Sequence, residues 1–326
     1  MRTAIGRLRV AVLDDYQHAA LNSGDFTRLA AIADVVTFDD HVSQAKDLAQ
    51  RLAGFHVVIG MRERTAFNAE LLAQLPDLGL LITTGMANAS FDLEAARTLG
   101  ITVCGTGMAG AATEELIWAL IMSLARNIPA EDAAIRAGGW QTGMGRELSG
   151  STLGLLGLGR LGGRIAHFAK AFDMNCIAWS QNLTAERAAE VGAELVTKDE
   201  LFKRADIVSI HVRQSDRTIG LVGAEELQLL GADGLLVNTS RGPIVDEAAL
   251  VAALWNGTIA GAGLDVFDVE PLPVAHPLRS TPDTVLTPHI GYVSTVGYQR
   301  MYSDAIDDIL HWSAGDPVRQ LNGERQ

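Results

Sequence analysis

Short apolar runs alternate with segments of helical spacing along almost the whole chain. In the first third, these runs occupy residues 10–13, 35–38, 56–60, 80–83 and 101–104. Apolar runs of this length are typical of strands that are buried on both faces of a parallel sheet. Because parallel strands need a crossover of about a dozen residues, usually a helix, the alternation predicts a parallel α/β fold.

A second series of apolar runs begins after a glycine-rich connector at residues 105–110. Its predicted strands are residues 152–156, 175–179, 207–212, 235–238, 259–266 and 284–286. Before them, Thr113 is predicted to cap a long helix that ends at Arg126. The layout therefore predicts an α/β chain with two doubly wound parallel-sheet domains and a hinge at the connector.

The last helical segment, residues 294–313, is not followed by another strand. We therefore expect it to pack back on the first domain, which makes that domain discontinuous. The predicted boundaries are residues 1–104 and 292–326 for one domain and 105–291 for the other. A second hinge is expected near residues 291–295, so that the two domains can close on a ligand.

Composition excludes several classes of function. The chain has 26 Lys and Arg residues against 39 Asp and Glu residues, a formal net charge of −13, which disfavours nucleic acids and anionic membrane surfaces as partners. No apolar run approaches the roughly 18–20 residues of a membrane span, and no signal-type apolar segment follows Met1-Arg2-Thr3. Two distant cysteines, Cys104 and Cys176, indicate no disulfide framework. We expect a cytoplasmic protein.

A glycine-rich turn follows the predicted strand at residues 152–156. Gly157, Gly159 and Gly162 have the spacing G-x-G-x-x-G, with Arg160 and Leu161 between the last two, and the turn opens a helix. Glycine at these places permits a tight turn, the approach of a pyrophosphate to backbone N–H groups and close packing of helix on strand. In this strand–turn–helix context the motif predicts a dinucleotide site.

The dinucleotide itself is less clearly indicated. The fingerprint expects an acid about 20 residues further on, to bind the adenosine ribose. The next predicted strand instead ends in Trp179, Ser180, Gln181 and Asn182. Without an acid, the 2′-phosphate of NADP is not repelled, yet no arginine stands in these residues to attract it. We therefore predict NAD or NADP, with a slight preference for the interpretation that NADPH is accepted.

Three strand ends in the second series carry charged or titratable residues in Gly- or Pro-containing turns. Arg241 stands in NTSRGP, Glu270 ends GLDVFDVE, and His289 stands in TPHIG. Open α/β sheets bind ligands at the carboxyl ends of their strands. A guanidinium there suits a planar carboxylate, and an imidazole can move a proton near neutral pH.

With these motifs, the sequence resembles the D-isomer-specific 2-hydroxyacid dehydrogenases over nearly its whole length. The carriers are residues 155–162 (LLGLGRLG), 238–246 (NTSRGPIVD), 263–271 (GLDVFDVEP) and 287–291 (TPHIG). The resemblance implies a flavodoxin-like substrate domain and a Rossmann cofactor domain. It makes Arg241, Glu270 and His289 the catalytic residues and places Asp265 beside the nicotinamide. It also implies a homodimer, built on the helix that follows Thr113.

The activity implied by the resemblance is reversible, NAD(P)H-dependent reduction of a small 2-oxo acid to the D-2-hydroxy acid, as in glyoxylate/hydroxypyruvate reductases. His289 would protonate the carbonyl oxygen, Glu270 would fix and stabilise the protonated ring, and Arg241 would hold the substrate carboxylate. No metal motif is present, so we expect no metal. His211, at the end of a cofactor-domain strand, is interpreted as structural rather than as a nucleotide contact.

The substrate stays open at this point. Residues 59–65 (IGMRERT) resemble a segment in which phosphoglycerate dehydrogenases bind phosphate, so Arg62 and Arg64 suit an anionic tail or are solvated surface cations. The loop that contains Gly85, Met86 and Ala87 resembles the family's carboxylate-binding loop. D-3-Phosphoglycerate dehydrogenase is therefore one alternative. A dinucleotide-sensing interaction protein, similar to the corepressors of the same family, is the alternative of another class.

Overall fold

A computed structural model of the chain describes residues 6–323. Met1, Arg2 and Thr3, where the expectation of no signal-type segment begins, lie outside this range. The chain forms two compact units: one extends to Gly110 and resumes at Val293, and the other runs from Ala111 to Tyr292. Each unit contains one parallel sheet, which confirms the predicted fold class.

The sheet of the first unit has five strands. They are β1 (Leu8–Val12), β2 (Ala33–Thr37), β3 (Val57–Gly60), β4 (Leu80–Thr83) and β5 (Thr102–Gly105). Their order across the sheet is β2-β1-β3-β4-β5, and every pair is parallel. This is the flavodoxin-like order. The order in which strands are added to the sheet reverses between β1 and β3, and this reversal leaves a crevice at the carboxyl ends of these two strands.

Four short helices connect the strands of the first unit. They are α1 (Ala20–Ser23), α2 (Ala45–Leu52), α3 (Ala69–Ala73) and α4 (Leu93–Thr98). Side chains cap two of them: Asn68 accepts a hydrogen bond from Leu71 N, and Asp92 accepts one from Ala95 N. Gly100, with φ +71°, follows α4 in the left-handed conformation, as expected for a glycine that ends a helix.

The sheet of the second unit has seven strands. They are β6 (Thr152–Leu156), β7 (Asn175–Trp179), β8 (Glu194–Leu195), β9 (Ile207–Ile210), β10 (Leu235–Asn238), β11 (Gly261–Leu264) and β12 (Thr284–Leu286). Their order is β12-β11-β10-β9-β6-β7-β8, again parallel throughout. This is the Rossmann order, and its reversal point lies between β6 and β9.

The helices of the second unit include two that precede its sheet. They are α5 (Ala112–Ala125), α6 (Ile128–Arg136), α7 (Arg160–Ala171), α8 (Ala185–Ala189), α9 (Lys198–Arg204), α10 (Ala224–Leu230) and α11 (Glu247–Trp255). Neighbouring strand residues belong to different apolar clusters: Leu155 lies in the cluster that includes Ile165 of α7, whereas Leu156 lies in the cluster that includes Leu250 of α11. Each fully buried aliphatic side chain contributes about 1.5–3 kcal/mol relative to exposure.

The last helix, α12 (Thr295–Ser313), belongs to the first unit. Ser294 caps it by accepting a hydrogen bond from Gly297 N at 3.1 Å. Behind the helix, the chain returns to the sheet edge, where Gln320 bridges antiparallel to Cys104 of β5. The first unit is therefore completed by residues from the far end of the chain.

Several predicted boundaries differ from the structure. Helix α5 begins at Ala112, and its N-cap, Ala111, makes no side-chain cap, so the prediction that Thr113 caps this helix is wrong. Strand β9 ends at Ile210 rather than 212 because its partner β6 ends at Leu156, the residue opposite Ile210. Helix α6 was not predicted, since it buries none of its residues and lacks a core-facing apolar stripe.

Candidate active site

The glycine turn after β6 has the geometry of an anion cradle. Gly157 has φ +105°, and a Cβ there would lie 2.8 Å from Val212 N, so only glycine fits. A Cβ on Gly162 would collide with the Gly157 carbonyl, because α7 packs tightly on the turn. Gly159, in contrast, faces open space, and as the N-cap of α7 it leaves the helix without a side-chain cap. The first N–H groups of α7 are thus open to a phosphate.

Arg160 and Leu161 form the first residues of α7, beside this cradle. The Arg160 side chain is largely exposed, and its Nη1 lies 3.1 Å from Oε1 of the buried Glu114 on α5. Our sequence reasoning did not anticipate this contact, because an acid in the first turn of a helix is common in any helix. Glu114 therefore acts as a fixed counter-charge for the arginine of the glycine turn.

Strand β7 ends beside the same turn. Gly157 N donates a hydrogen bond to Trp179 O at 2.8 Å. Ser180 and Gln181, which follow Trp179, therefore lie beside the start of the glycine turn. Ser180 is half-buried and Gln181 is exposed, and residues 180–182 contain no acid. These are the two side chains predicted to face the adenosine ribose.

His211 packs directly against the glycine turn. Its Cδ2 lies 3.5 Å from the position that a Cβ on Gly162 would occupy. Neither ring nitrogen has a hydrogen-bond partner among the described residues, and burial lowers the pKa of this histidine to about 4. His211 therefore presents a neutral imidazole to the glycine turn.

His289 and Glu270 are in direct contact. His289 Nδ1 lies 2.6 Å from Glu270 Oε2, and the other carboxylate oxygen of Glu270 accepts a hydrogen bond from Phe267 N at 2.9 Å. Both side chains are partly exposed, at 21% for His289 and 30% for Glu270. The carboxylate is thus held by its own loop and contacts Nδ1 of the imidazole. Nε2 is therefore the ring nitrogen that remains free to contact a reactant.

Asp265 fixes the turn that presents His289. This buried residue follows β11, and its Oδ1 accepts hydrogen bonds from Thr287 Oγ1 at 2.6 Å and Ile290 N at 2.8 Å. Its Oδ2 accepts one from Gly291 N at 2.8 Å. Burial raises the pKa of the Asp265 carboxyl, whereas these hydrogen bonds act in the opposite direction. His289 itself has φ +53°, a left-handed conformation that this ring of hydrogen bonds maintains.

Arg241 leaves β10 next to the loop that carries Glu270. Its Nη1 donates to Ser240 O at 2.7 Å, and its carbonyl accepts from Asn238 Nδ2 at 2.9 Å. The following Gly242 packs so closely on the backbone of Phe267 that a Cβ would collide with it. The structure therefore brings the loop of Arg241 against the loop of Glu270, although the two are about thirty residues apart in the sequence.

A further contact stiffens the loop after Glu270. His276 Nε2 lies 2.9 Å from Glu247 Oε1, and the other oxygen of this carboxylate lies 3.4 Å from Asp268 N. Burial raises the pKa of the Asp268 carboxyl, and the nearby Glu247 adds to the effect. The pairing of Glu247 with His276 has no signal in residue spacing, and our sequence reasoning missed it.

In the first unit, Arg62 and the loop at Gly85 lie together. Arg62 N donates to Thr84 Oγ1 at 2.9 Å, and its guanidinium covers Gly85 so closely that a Cβ on this glycine would collide with it. Gly85 has φ +134°, and Gly85 N donates to Thr106 Oγ1 at 2.9 Å. Met86 and Ala87 continue this loop, with the Met86 side chain half-exposed.

Arg64 takes a different direction from Arg62. Its Nη1 donates to Asp14 O at 2.8 Å, and its guanidinium lies 4.7 Å from the centroid of the Tyr16 ring. Burial and the nearby Asp14 raise the pKa of Tyr16 to about 12. The structure thus separates the two arginines that the sequence suggested as a pair: Arg62 lies on the Gly85 loop, and Arg64 is bound to the end of β1.

Within residues 6–323, no cluster of three or more His, Cys, Asp or Glu residues could hold a metal ion. In the same range, no helix combines the length and the apolar character needed to cross a bilayer.

Comparison with known proteins places the site in context. Residues 118–291 match the family described as "D-isomer specific 2-hydroxyacid dehydrogenase, NAD binding domain". The chain is 40% identical over 268 residues to a glyoxylate reductase of Aeropyrum pernix, covering 79% of this chain and 80% of the relative. It is 33% identical over 277 residues to a D-3-phosphoglycerate dehydrogenase of Archaeoglobus fulgidus, covering 84% of this chain but only 52% of that relative.

Solved structures agree with these sequence matches. A phosphoglycerate oxidoreductase from Vibrio cholerae O395 superposes with a TM-score of 0.90 at 35% identity, over 94% of this chain and 99% of the other. The chain spans about half the length of the Archaeoglobus dehydrogenase, but nearly the whole of the Vibrio structure.

Proposed function

Since the chain belongs to the D-isomer-specific 2-hydroxyacid dehydrogenase family, we propose that it reduces a small 2-oxo acid to the D-2-hydroxy acid with NAD(P)H. The observation that carries this proposal is the 2.6 Å contact between His289 Nδ1 and Glu270 Oε2. Both residues belong to the unit that contains the glycine cradle. A proton donor and a dinucleotide site in one unit are the parts that reduction of a carbonyl requires.

The cradle residues fit a dinucleotide. Gly157, Gly159 and Gly162 would receive the pyrophosphate, with Arg160 and Leu161 at the start of α7 and Ser180 and Gln181 at the ribose. The open space at Gly159 and the uncapped N–H groups of α7 support this assignment. A bound reduced nicotinamide supplies the hydride. Because residues 180–182 contain no acid, we propose that NADPH is accepted as well as NADH.

His289 and Glu270 are proposed to move the proton. With Nδ1–H donated to the Glu270 carboxylate, the ring keeps one orientation, and Nε2 carries the proton that the carbonyl oxygen takes as negative charge develops on it. The negative carboxylate stabilises the protonated ring before this transfer. The hydrogen bonds of Asp265 to Ile290 and Gly291 hold the turn in place. Three of roughly four acceptor sites on Asp265 are used, which leaves one for the nicotinamide carboxamide.

Arg241 is proposed to bind the substrate carboxylate. A guanidinium grips a carboxylate with two parallel hydrogen bonds, which fixes the orientation of the carbonyl as well as the position of the acid. The backbone of Gly85, Met86 and Ala87 and the side chain of Arg62 are proposed as further substrate contacts from the first unit.

The similarity to glyoxylate reductases favours a small substrate such as glyoxylate or hydroxypyruvate. D-3-Phosphoglycerate dehydrogenase is the second candidate, since Arg62 lies on the Gly85 loop, where it could meet a phosphate. Arg64 is bound to Asp14 and Tyr16, so it offers little to a second anionic group. We therefore rank phosphoglycerate dehydrogenase below the reductase.

The proposal is tested by following nicotinamide absorbance with NADH and NADPH. The substrates are glyoxylate, hydroxypyruvate, 3-phosphohydroxypyruvate and a branched 2-oxo acid. We expect turnover with glyoxylate or hydroxypyruvate to exceed that with the phosphorylated acid. The opposite order would establish the second candidate. Binding of the dinucleotide without turnover of any substrate would refute both and support a dinucleotide-sensing interaction protein.

We also propose a homodimer built on α5, α6 and the segment after them. Ile128, Ile135, Trp140 and Met144 are all at least half-exposed, and Met144 is 96% exposed. Exposed apolar side chains concentrated in one segment are typical of an interface. Sedimentation equilibrium should give twice the mass of 34.7 kDa, and Trp140→Asp should shift the protein toward the monomer. A wild-type monomer at micromolar concentration would contradict the proposal.

The two thiols are consistent with the proposed cytoplasmic location. Cys104 and Cys176 are both free, and burial raises their pKa values to about 12 and about 11. Neither thiol is therefore activated for disulfide exchange, because the reactive form is the thiolate.

A further inference from the structure

The loop that follows β9 lies against the glycine cradle. Trp179 of β7 and Ile210 of β9 both stand opposite Leu156, on the two sides of β6. The segments that continue from them, beginning at Ser180 and His211, therefore flank Gly157. The two strand ends are separated by one strand, a distance of about 10 Å.

The first residues of this loop are fixed over the cradle. Val212 N lies 2.8 Å from the position that a Cβ on Gly157 would take, and Val212 Cγ1 lies 3.0 Å from it. On the other side, the Ser240 hydroxyl donates to Val212 O. Val212 is therefore held on one side by the cradle and on the other by the loop after β10, and this fixes the backbone from which Arg213 continues.

The Arg213 guanidinium is available to a ligand. The residue is exposed, and within residues 6–323 no hydrogen bond or ion pair joins its side chain to another residue. Its carbonyl accepts a hydrogen bond from Thr218 Oγ1 at 2.8 Å, and the same hydroxyl oxygen accepts one from Ser215 N at 2.8 Å. The loop is therefore braced by its own hydrogen bonds, and the residue Arg213 on it is exposed.

We propose that Arg213 binds the 2′-phosphate of NADPH, with the Ser180 hydroxyl as a second contact, and that the protein prefers NADPH to NADH. The inference rests on the proposed function, since it requires the dinucleotide to occupy the glycine cradle. An arginine binds a phosphate through two hydrogen bonds, and no acid in residues 180–182 opposes the dianion. The chain carries a net charge of −13, so a local cation, rather than the overall charge, would attract this phosphate.

The test measures dissociation constants of NADPH and NADH by fluorescence titration, without substrate. The variants are Arg213→Gln and, as a matched control, Arg217→Gln, which removes the same charge four residues further along the same loop. We expect the wild type to bind NADPH about tenfold or more tightly than NADH. Arg213→Gln should lose most of this advantage and keep its affinity for NADH, whereas Arg217→Gln should retain the preference. Circular dichroism confirms that each variant is folded.

Ser180→Asp provides an independent check, because the new acid should weaken NADPH binding and leave NADH binding unchanged or stronger. Equal affinity of the wild type for the two nucleotides would overturn the inference. So would an equal loss of both nucleotides in Arg213→Gln, or a loss of the preference only in Arg217→Gln. In these three cases the dinucleotide site itself stands, whereas failure of either nucleotide to bind would refute the proposed function as well.

Discussion

At the scale of single residues, the Glu270 carboxylate has two distinct tasks. One oxygen accepts the backbone N–H of Phe267, and the other contacts Nδ1 of His289. The first bond fixes the carboxylate without using the oxygen that the histidine needs. Replacing either partner of the pair should therefore affect the chemical step more than the binding of the dinucleotide.

His289→Ala should reduce kcat by roughly 10²–10⁴-fold, because the proton donor is removed. Glu270→Gln should lower kcat less, since the amide still offers the ring an acceptor but no negative charge. The dissociation constant of NADH, measured by fluorescence, should stay near the wild-type value in both variants. His311→Ala, an exposed histidine on α12, is the matched control and should keep full activity. Unchanged turnover of His289→Ala would remove this residue from the mechanism.

At the scale of elements, the turn from β6 to α7 uses its glycines for different reasons. Gly157 has a positive φ of +105°, and a Cβ on it would collide with the backbone of Val212. Gly162 is an ordinary helical residue that must stay small, because α7 rests on the Gly157 carbonyl. Gly159 has no such neighbour, so the protein itself does not require a glycine there. Its need for glycine arises only from a ligand that approaches the backbone.

Two alanine variants separate these causes. Gly162→Ala should lower the apparent Tm by several degrees, since helix and turn must move apart. Gly159→Ala should leave the apparent Tm almost unchanged but weaken NADH binding, because the methyl group enters the space of the pyrophosphate. Thermal unfolding and fluorescence titration of both variants check the two effects. Wild-type affinity in Gly159→Ala would show that the pyrophosphate does not lie at this turn.

The loop between β11 and β12 is a second element whose position depends on distant residues. Glu247 on α11 contacts both His276 and the backbone N–H of Asp268, on either side of Glu270. Gly242 closes the same loop from the end of β10. The position of Glu270 is therefore set by two other parts of the second unit, α11 and the end of β10, as well as by its own loop.

At the scale of the whole molecule, the first unit is closed by the last thirty residues of the described chain. Gly107 N donates to Asp304 Oδ2 of α12 at 2.8 Å, and Leu321 N donates to Val103 O at 2.7 Å. Asn322 accepts a hydrogen bond from Val103 N and donates one to Ile101 O. Truncation before α12 would thus open the edge of β5 as well as remove a helix.

Asp308, on the buried face of α12, makes the stability of this unit depend on pH. Burial raises the pKa of its carboxyl to about 7 from an ordinary value of 3.8, and Asp304 and Asp307 add to the shift. Arg319 Nη2, 2.9 Å from Asp308 Oδ1, opposes it. The buried thiol of Cys104 also lies close to this carboxyl. Between these two pKa values the folded protein binds more protons than the unfolded chain, so the free energy of unfolding falls as pH rises.

Asp308→Asn removes this titration. Its apparent Tm relative to the wild type should rise as the pH is taken from about 5 to about 8, because only the wild type must bury a carboxylate at the higher pH. Asp316→Asn, at an exposed position just after α12, should follow the wild-type pH profile. Thermal unfolding by circular dichroism across this range makes the comparison. A constant difference between Asp308→Asn and the wild type would show that Asp308 does not titrate there.

Much of the fold was predictable from the sequence because its signals are local. The runs at residues 80–83, 152–156, 175–179, 235–238 and 284–286 are strands with the predicted bounds. A run of buried aliphatic residues can form all its backbone hydrogen bonds only in a sheet or a helix. Runs of four or five residues are too short for a typical helix, so their length favoured a strand. Gly157, Gly159 and Gly162 indicated the cradle for a similar reason, since their spacing is local. Gly157 and Gly162 avoid collisions with neighbouring backbone, and Gly159 leaves open space for a ligand.

Contacts between distant segments were decided only by the tertiary structure. The sequence offered Arg62 and Arg64 as a pair, but strand packing directs one to Gly85 and the other to Asp14. It gave no sign that Glu114 meets Arg160, or that Arg213 starts beside Gly157. Local spacing specifies which face of an element a residue occupies. Which charged group it meets depends on strand order and loop paths, because these bring together residues that share no sequence neighbourhood.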